Sequence, residues 1–404
     1  MLCGDNCRMK SVLFTWELGA GHGHTTRMIP FVSLCLEQGY KVSLAVKDLR
    51  TAANDFAAQK HIEYFQAPAK PTGRGPFPRA ANFSQLLANV GFDSAESLYA
   101  RMRAWRSIYD CVQPDLVVFD HSPVAMLAMR GLDVKSLLIG TGFEIPPDVA
   151  PFPLLRSGIA TPAELISLER FILSQINSGV EKIGVEGIER LSQIYEADLS
   201  FLASVPLLDP YSQYRSKPNY VGPLQPLQSR SAVWPNVKNG QRCYVYLKAA
   251  PCIPAILDTL TQVGASAVVC FDGESRALKR KFESNSVRVS SELLNLESTM
   301  RECDFAILNG GHGTTAEALL AGNPCLFLPL SLEQVLTAQA VCESGAGLMA
   351  NPAHPEDAAA KLIQLMNSDD IRQRAEAVGE SFRRDYPTNG LNSAIERFRK
   401  LLLA

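Results

Sequence analysis

Two histidines and an aspartate are the residues of the N-terminal half best suited to acid–base chemistry. His22 and His24 lie in the segment GAGHGH, which follows the apolar run SVLFTW (11–16). The unperturbed pKa of histidine allows it to act as a general base near neutral pH. Asp120 ends another apolar run, and a carboxylate there can hold one imidazole tautomer and stabilise the protonated ring. Alternatively, His24 packs or caps the loop and Asp120 caps a helix that begins near Ser122.

The segment NGGHGTTAEAL (309–319) indicates an anion-binding turn in the C-terminal half. Glycine in ordered structure is costly unless the backbone needs a positive φ or a close approach to another group. A glycine-rich turn that leads into a helix presents amide N–H groups and the positive end of the helix dipole, which attract phosphate. The alternative is a tight strand–helix turn without a ligand.

Other polar residues follow the predicted strands of the same half. Glu333 and Gln334 offer acceptors and an amide that suit sugar hydroxyls, unless they are simply solvated. Lys248 ends the first strand of this half, where a lysine acts as a point charge on phosphate. No group of His, Cys, Asp and Glu has the spacing of a metal site, and no nucleophile elbow or Walker sequence is present. The sequence therefore predicts no metal and no cofactor.

Apolar runs alternate with helical stretches twice along the chain, which predicts an α/β fold with two doubly wound domains. The runs DLVVFD (115–120) and SLLIGTG (136–142) are continuously apolar, as parallel strands covered on both faces are. Thr25 or Thr26 is expected to cap the first helix. We predict an N-terminal domain over 1–215, an interdomain linker over 216–241, and a C-terminal domain with its final helix over 242–404.

Composition restricts the class of protein. The chain has 404 residues, of which 47% are hydrophobic and 20% charged, so large cores are expected and extensive disorder is not. The formal net charge of -2 and the lack of a basic stripe argue against nucleic acid as a partner. Ten scattered cysteines are best interpreted as reduced, buried thiols. No signal peptide or transmembrane segment is evident, and a cytoplasmic location is expected.

Three stretches resemble one known family. FTWELGAGHGHTTRMIPFVSLCLEQGYKVSLAV looks like the opening strand–loop–helix–strand of the UDP-glycosyltransferase-like family. YVGPL (220–224) resembles the segment before the second domain of that family. DFAILNGGHGTTAEALLAGNPCLFLPLSLEQVLTAQAVCESGAG is similar to its nucleotide-sugar-binding stretch, and is the most specific of the three. The resemblance implies the GT-B fold, in which two Rossmann-like domains face a central cleft.

The resemblance also implies roles for individual residues. His24 takes the position of the catalytic base and Asp120 that of its aspartate partner. Apart from the resemblance, we interpret His22 and His121 as structural or substrate-contacting neighbours, and expect His22 and Gly23 on the acceptor side. The implied donor site comprises the diphosphate loop and the pair that holds the donor sugar, namely Gly311, Gly313, Thr314, Thr315, Glu333 and Gln334.

Two positions depart from the family pattern. Asn309 stands where the family usually has histidine, and LKAA, with Lys248 and Ala249, replaces a Gly-Ser pair. We predict that Asn309 still offers an amide hydrogen bond to the donor. We also predict that Lys248 partly replaces the missing histidine in holding the diphosphate, with a smaller contribution from His312.

The implied activity is that of an inverting, metal-independent glycosyltransferase that uses a UDP- or dTDP-sugar and an acceptor hydroxyl. The alternatives are a nucleotide-sugar epimerase or hydrolase of the same fold, and a non-catalytic sugar-nucleotide-binding subunit. Residues 67–105 are expected to line the acceptor side. Their mixture of aromatic, Arg and Gly residues fits a glycan, a lipid-linked or a small aromatic acceptor equally well.

Overall fold

The structure is a computed structural model that describes residues 9–70, 73–224, 230–238, 240–272, 281–290, 294–386 and 390–403. It divides into two compact units. The first comprises the chain up to Ala203, Tyr211–Tyr220 and the chain from Asn392 onward; the second comprises Ser204–Pro210 and Val221–Leu391. Each unit is built around one parallel sheet, as the two sets of alternating elements predict.

The first unit contains a six-stranded sheet in the order β3-β2-β1-β4-β5-β6, with all neighbours parallel. Its strands are β1 Ser11–Trp16, β2 Lys41–Val46, β3 Ile62–Gln66, β4 Leu116–Asp120, β5 Lys135–Gly140 and β6 Leu199–Leu202. Its helices are α1 His22–Glu37, α2 Leu49–Asp55, α3 Phe83–Leu87, α4 Ala95–Val112, α5 Pro123–Met129 and α6 Pro162–Glu181. Every residue of β1 and β4 is buried, which explains why their sequences are apolar without alternation.

The second unit repeats this arrangement with the strand order β12-β11-β10-β7-β8-β9. Its strands are β7 Arg242–Lys248, β8 Ser266–Asp272, β9 Val287–Ser290, β10 Phe305–Leu308, β11 Cys325–Phe327 and β12 Gly347–Met349. The described helices are α7 Ile253–Gln262, α8 Leu296–Glu302, α9 His312–Leu320, α10 Leu332–Glu343, α11 Pro355–Asn367 and α12 Asp369–Asp385.

In each sheet the strand order reverses between two central strands, β1 and β4 in the first and β7 and β10 in the second. Helices that follow the two strands of such a pair leave on opposite faces, and the crevice beyond the carboxyl ends is the usual ligand site of doubly wound folds. The predicted polar residues follow these same strands. Each unit therefore places its candidate residues at its own switch point.

The last helix, α13 Gly390–Leu403, belongs from Asn392 onward to the first unit, whereas the sequence interpretation placed it in the second domain. Phe398 packs edge-on against Phe31 of α1, with 5.1 Å between ring centroids. Arg397 lies over the Phe201 ring and donates a hydrogen bond to Asn219 at 2.8 Å. The amphipathic pattern predicted the helix correctly, but periodicity alone does not specify which surface an apolar face covers.

The predicted linker, 216–241, contains no helix or strand in the residues that the structure describes; 225–229 and 239 lie outside them. The boundary between the units falls at Tyr220–Val221, within this segment. Cys111 is exposed, against the expectation of burial, while six of the other described cysteines are buried and Cys342 is half-buried. Cys3 and Cys7 lie outside the described residues. Among the helices described, none has the length and apolarity needed to cross a membrane.

Candidate active site

His24 and Asp120 are in direct contact in the first unit. His24 lies in the first turn of α1, and Asp120 is the last residue of β4, where it pairs in register with Trp16 of β1. Nδ1 of His24 lies 2.6 Å from Oδ1 of Asp120, and both side chains are buried. An ionised carboxylate only accepts hydrogen bonds, so in this arrangement Nδ1 carries the proton and Nε2 keeps its lone pair. That is the tautomer a general base requires.

Helix α1 begins earlier than expected, at His22, so neither Thr25 nor Thr26 caps it. The Thr25 hydroxyl instead donates to the His22 carbonyl at 3.0 Å and to Asp55. His24 is consequently a helical residue that is only 7% exposed, and not part of a solvated loop. Its orientation is fixed by the first turn of α1.

Trp16 and Gly19 shape the surroundings of the His24 ring. Trp16 stacks on the imidazole, with 5.1 Å between the ring centroids and 18° between the planes. Gly19 has a φ of +83°, and a β-carbon at this position would overlap Nε2 of His24. Glycine is required here both by the backbone conformation and by the space that Nε2 occupies.

Sequence reasoning missed two charged residues that complete the cluster, Arg27 and Glu144. Nη1 and Nη2 of Arg27 donate to Oε2 and Oε1 of Glu144 at 2.8 and 2.9 Å. Nη2 also lies 2.9 Å from Oδ2 of Asp120. Arg27 follows His24 by three residues, the spacing that places two helical side chains on one face, so this signal was available. Glu144 lies in the loop after β5, and no sequence pattern indicates that it reaches the same place.

For both carboxyl groups, Asp120 and Glu144, burial raises the pKa while the neighbouring positive charges lower it. Complete burial raises the pKa of Asp120, against the opposing effects of Arg27 and His24. Burial also acts to raise the pKa of Glu144, but the Arg27 guanidinium and His24 outweigh it and hold that pKa well below its usual range. Buried carboxylates are costly unless they are paired and hydrogen-bonded. Arg27 is the charge that pairs with both.

His121 lies beside this pair in an unusual backbone conformation, with a φ of 44°. Its ring stacks on His24 at 6.0 Å and lies 6.3 Å from Phe83, which belongs to the segment predicted to line the acceptor side. Desolvation lowers the pKa of His121 to about 3, so the ring is neutral at physiological pH. Left-handed backbone at a non-glycine residue is uncommon and concentrates at functional sites.

His22 belongs to a second His–Asp pair on α1. Its Nδ1 lies 2.8 and 2.9 Å from the two carboxylate oxygens of Asp55, the last residue of α2. Because successive helical residues are 100° apart, His22 and His24 project to different sides of the first turn. A β-carbon at Gly23 would meet no atom within 4 Å. The acceptor-side role of His22 and Gly23 stays a prediction.

Donor atoms of His24, His121 and Glu144 lie within 4.8 Å of one another, a grouping from which a metal site can be built. The spacing of these residues along the chain does not indicate a metal site. Glu144 already accepts hydrogen bonds from Arg27 and from the Thr141 amide, the latter at 2.7 Å. A divalent cation would have to displace the guanidinium or face its charge at short range. These residues fit a hydrogen-bonded charge cluster better than a metal centre.

In the second unit, the predicted anion-binding turn is the start of α9. Gly311 is the N-cap residue, and no side chain caps the helix. The first amide groups of a helix have no intrahelical carbonyl, so those of Gly313 and Thr314 are suited to an anion. Gly310 has a φ of +90°, and a β-carbon there would lie 2.8 Å from the carbonyl oxygen of Gln334. This glycine lets the turn pack directly on the backbone of α10.

The Asn309 side chain bonds backbone groups of the protein, and its predicted hydrogen bond to the donor stays a prediction. Oδ1 of Asn309 accepts the amide hydrogen bond of Lys248 at 2.6 Å. Nδ2 donates to the carbonyl of Leu328, also at 2.6 Å. The buried amide group therefore ties together the ends of β7 and β10 and the residue that follows β11. The position of Asn309 in the sequence does not show that Oδ1 and Nδ2 both bond backbone groups within the protein.

The remaining predicted donor residues lie near the same strand ends. Nε2 of the buried His312 is 2.8 Å from the Ser204 hydroxyl, and Thr315 is buried in the first turn of α9. Glu333 and Gln334 begin α10, where the Gln334 side-chain oxygen accepts the Leu330 amide at 2.8 Å. Lys248 is half-buried at the end of β7. The contacts of these residues with a nucleotide sugar stay predictions.

Sequence comparisons relate this chain to glycosyltransferases. Residues 254–388 match the family described as Erythromycin biosynthesis protein CIII-like, C-terminal domain. The chain is 22% identical over 320 residues to the PGL/p-HBAD biosynthesis glycosyltransferase of Mycobacterium tuberculosis strain H37Ra, an alignment that covers 73% of each chain.

Solved structures extend the likeness over nearly the whole chain. The glycotransferase of kitacinnamycin is 14% identical, with a TM-score of 0.68 over 98% of this chain and 99% of that chain. The spinosyn rhamnosyltransferase SpnG, complexed with thymidine diphosphate, is 15% identical, with a TM-score of 0.64 over 97% and 100%. The two parallel sheets thus have the GT-B fold, and the sequence and structure matches support the resemblance to the UDP-glycosyltransferase-like family.

Proposed function

We propose that the chain is an inverting glycosyltransferase that moves a sugar from a UDP- or dTDP-sugar to an acceptor hydroxyl. The observation that carries the proposal is the 2.6 Å hydrogen bond between Nδ1 of His24 and Asp120 at the switch point of the first sheet. It presents a base in the required tautomer. The thymidine diphosphate bound by the spinosyn rhamnosyltransferase supports a nucleoside diphosphate donor.

In the proposed reaction, Nε2 of His24 removes the proton of the acceptor hydroxyl as the oxygen attacks the anomeric carbon of the donor. The bond between that carbon and the diphosphate oxygen breaks, and the nucleoside diphosphate leaves with the bonding electrons. A single displacement inverts the anomeric configuration. Asp120 stabilises the imidazolium that forms, as the aspartate of a Ser–His–Asp triad does.

The leaving diphosphate is proposed to bind at the start of α9. The amides of Gly313 and Thr314 and the helix dipole are fixed before the reaction, so they stabilise the developing negative charge without reorganisation. Glu333 and Gln334, at the start of α10, are proposed to hold hydroxyl groups of the donor sugar.

Product analysis tests this proposal. The protein is incubated with dTDP-rhamnose or UDP-glucose, with and without glycan, lipid-linked and small aromatic acceptors, and nucleoside diphosphate release is followed. We expect release only when an acceptor is present, and a product of inverted anomeric configuration by NMR. Release without an acceptor would identify a hydrolase. Nucleotide binding without turnover would identify a binding subunit.

Transfer is expected to continue in excess EDTA. The diphosphate site proposed here uses a helix N-terminus and a lysine. In the first unit, the Glu144 carboxylate is already paired with Arg27. The measurement compares rates of nucleoside diphosphate release in EDTA, in buffer alone and after addition of Mg²⁺. Activity that disappears in EDTA and returns with Mg²⁺ would contradict the proposed mechanism.

Replacing Gly19 by Ala is expected to lower kcat at least tenfold, because the added methyl group would overlap Nε2 of His24. The positive φ at this position should also cost about 1–2 kcal/mol of unfolding free energy. Steady-state kinetics and thermal unfolding measure the two effects. Gly39→Ala, at a φ of +75° where the added methyl group would meet no atom within 4 Å, controls for the backbone cost alone. Equal kcat in Gly19→Ala and wild type would contradict the described geometry around Nε2.

Replacing Lys248 by Met is expected to weaken binding of UDP and dTDP by about 1.5–3 kcal/mol, the range for hydrogen bonds to charged groups. The substitution removes the ammonium group but keeps the backbone bond to Asn309. His312→Ala should do less, because Nε2 of His312 already contacts Ser204. Calorimetric titration gives the affinities, with Lys135→Met in the first unit as control. Equal affinity in Lys248→Met and wild type would remove Lys248 from the site.

A further inference from the structure

The His24–Asp120 pair lies within a larger buried charge cluster, which we define as His24, Asp120, Arg27 and Glu144. Nη2 of Arg27 lies 3.1 Å from both Oδ1 of Asp120 and Nδ1 of His24. Since Nδ1 donates to Asp120, the arginine and histidine nitrogens are two donors that converge on one carboxylate oxygen. Glu144 holds the other side of the guanidinium through two hydrogen bonds, so Arg27 cannot turn away.

The protonation state of Asp120 decides whether His24 can act as a base. A protonated Asp120 would donate to Nδ1, place the ring proton on Nε2 and remove the lone pair that the reaction needs. Complete burial favours that protonated form. The guanidinium 2.9 Å from Oδ2 opposes burial and favours the ionised carboxylate.

Arg27 alone would also oppose the proton that His24 takes up during the reaction, because both groups would then be cations about 3 Å apart. Glu144 removes this conflict. Its Oε1 lies 3.6 Å from Nδ1 of His24, and its negative charge balances the positive charge of Arg27. Two carboxylates and one guanidinium leave one net negative charge, which a proton on His24 cancels. The cluster is thus neutral when the imidazolium is present.

We propose that Arg27 and Glu144 are positioning residues of the His24 base. Arg27 keeps Asp120 ionised, and Glu144 orients Arg27 and balances its charge so that His24 can accept a proton. This rests on the proposed function, in which His24 is the base. Other ionisable groups on the adjoining segments include the neutral His121, the His22–Asp55 pair, and Lys47, whose Nζ donates to the Gly19 carbonyl at 2.7 Å. The buried Glu17 accepts the amides of Val124 and Ala125.

The alternative role of Arg27 and Glu144 is structural, since a buried ion pair between α1 and the loop after β5 also holds these elements together. Glu144→Gln separates the two roles because it keeps the size and a carbonyl acceptor for the Thr141 amide. It leaves the charge of Arg27 unbalanced. Glu169→Gln is the matched control: Glu169 is buried in the same unit and accepts the Phe152 amide at 2.7 Å and the Ser84 hydroxyl at 2.8 Å.

The test follows the imidazole titration of His24 by NMR, with its signal assigned as the one missing from His24→Gln. In Glu144→Gln the midpoint should move to lower pH by about one unit or more, since an unbalanced cation disfavours the imidazolium. The acid limb of the pH profile of kcat/KM should also move to lower pH, and the plateau value of kcat/KM should fall. In the double variant Arg27→Met, Glu144→Gln, Asp120 also loses the cation that keeps it ionised, so the plateau of kcat/KM should fall below that of Glu144→Gln.

A midpoint in Glu144→Gln that moves no more than in Glu169→Gln would overturn the proposal, even if Glu144→Gln is less stable. A plateau of kcat/KM in the double variant equal to that of Glu144→Gln would overturn the role given to Arg27. The titration needs no substrate, so it also separates this proposal from the proposed function. If the midpoint shifts but the protein transfers no sugar, the roles of Arg27 and Glu144 are supported and the glycosyltransferase function is rejected. If the protein transfers sugar but the midpoint does not shift, the function is supported and those roles are rejected.

Discussion

Replacing His24 by Gln is expected to lower kcat by about 10²–10⁴, the range for loss of a general base. Nε2 of His24 is the nitrogen opposite the Asp120 hydrogen bond, and in the proposed reaction it is the atom that receives the acceptor proton. A glutamine amide has no basic lone pair to take over this role. The loss should appear in kcat and in kcat/KM alike, while UDP and dTDP affinity stays unchanged.

Glutamine is preferred to alanine because His24 is buried against Trp16 and bonded to Asp120. Alanine would leave a cavity and remove a hydrogen bond from a buried carboxylate, which destabilises the protein independently of catalysis. A glutamine N–H can still donate to Asp120. Thermal unfolding checks that the variant is folded, and His354→Gln, on the exposed residue before α11, is the control substitution. Near wild-type turnover in a folded His24→Gln protein would exclude His24 as the base.

The fold and the position of the site could be predicted from the sequence because they depend on local patterns. Continuous apolar runs such as β1 and β4 identify parallel strands buried on both faces. The alternation of strands and helices then fixes the sheet type, and the switch-point rule locates ligands at the strand ends. The contact between His24 and Asp120 follows from these steps, since both residues lie at the carboxyl ends of neighbouring strands.

What the sequence did not predict depends on contacts between distant segments. Glu144 reaches Arg27 only because the loop after β5 folds back toward α1, and no periodicity encodes that path. Asn309 was assigned to the ligand because of its place in a family motif, yet its amide group satisfies backbone groups of neighbouring strand ends. The docking surface of α13 likewise depends on tertiary packing. Local patterns therefore predicted which residues meet at the candidate site, but not which charges surround them.

Replacing Asp120 by Asn is expected to lower kcat by about 10⁴, as the same change in the aspartate of a Ser–His–Asp triad does. The reason is the tautomer of His24. Arg27 cannot lose a proton, and its Nη2 lies 2.9 Å from Oδ2 of Asp120, so the amide oxygen of Asn should face Arg27. The amide nitrogen then donates to Nδ1 of His24. The ring proton moves to Nε2, where the reaction needs a lone pair.

This expectation is distinguished from general damage by three measurements. The nucleotide affinity should not change, because the diphosphate is proposed to bind at α9 in the other unit. Asp115→Asn, at the opposite end of β4, where Asp115 accepts the Ser11 amide at 2.7 Å, should keep wild-type kcat. The pH profile of Asp120→Asn should lose the acid limb of wild type, since the remaining activity no longer depends on His24 as a base. Turnover and a pH profile equal to wild type would show that the hydrogen bond between His24 and Asp120 holds the structure together without taking part in proton transfer.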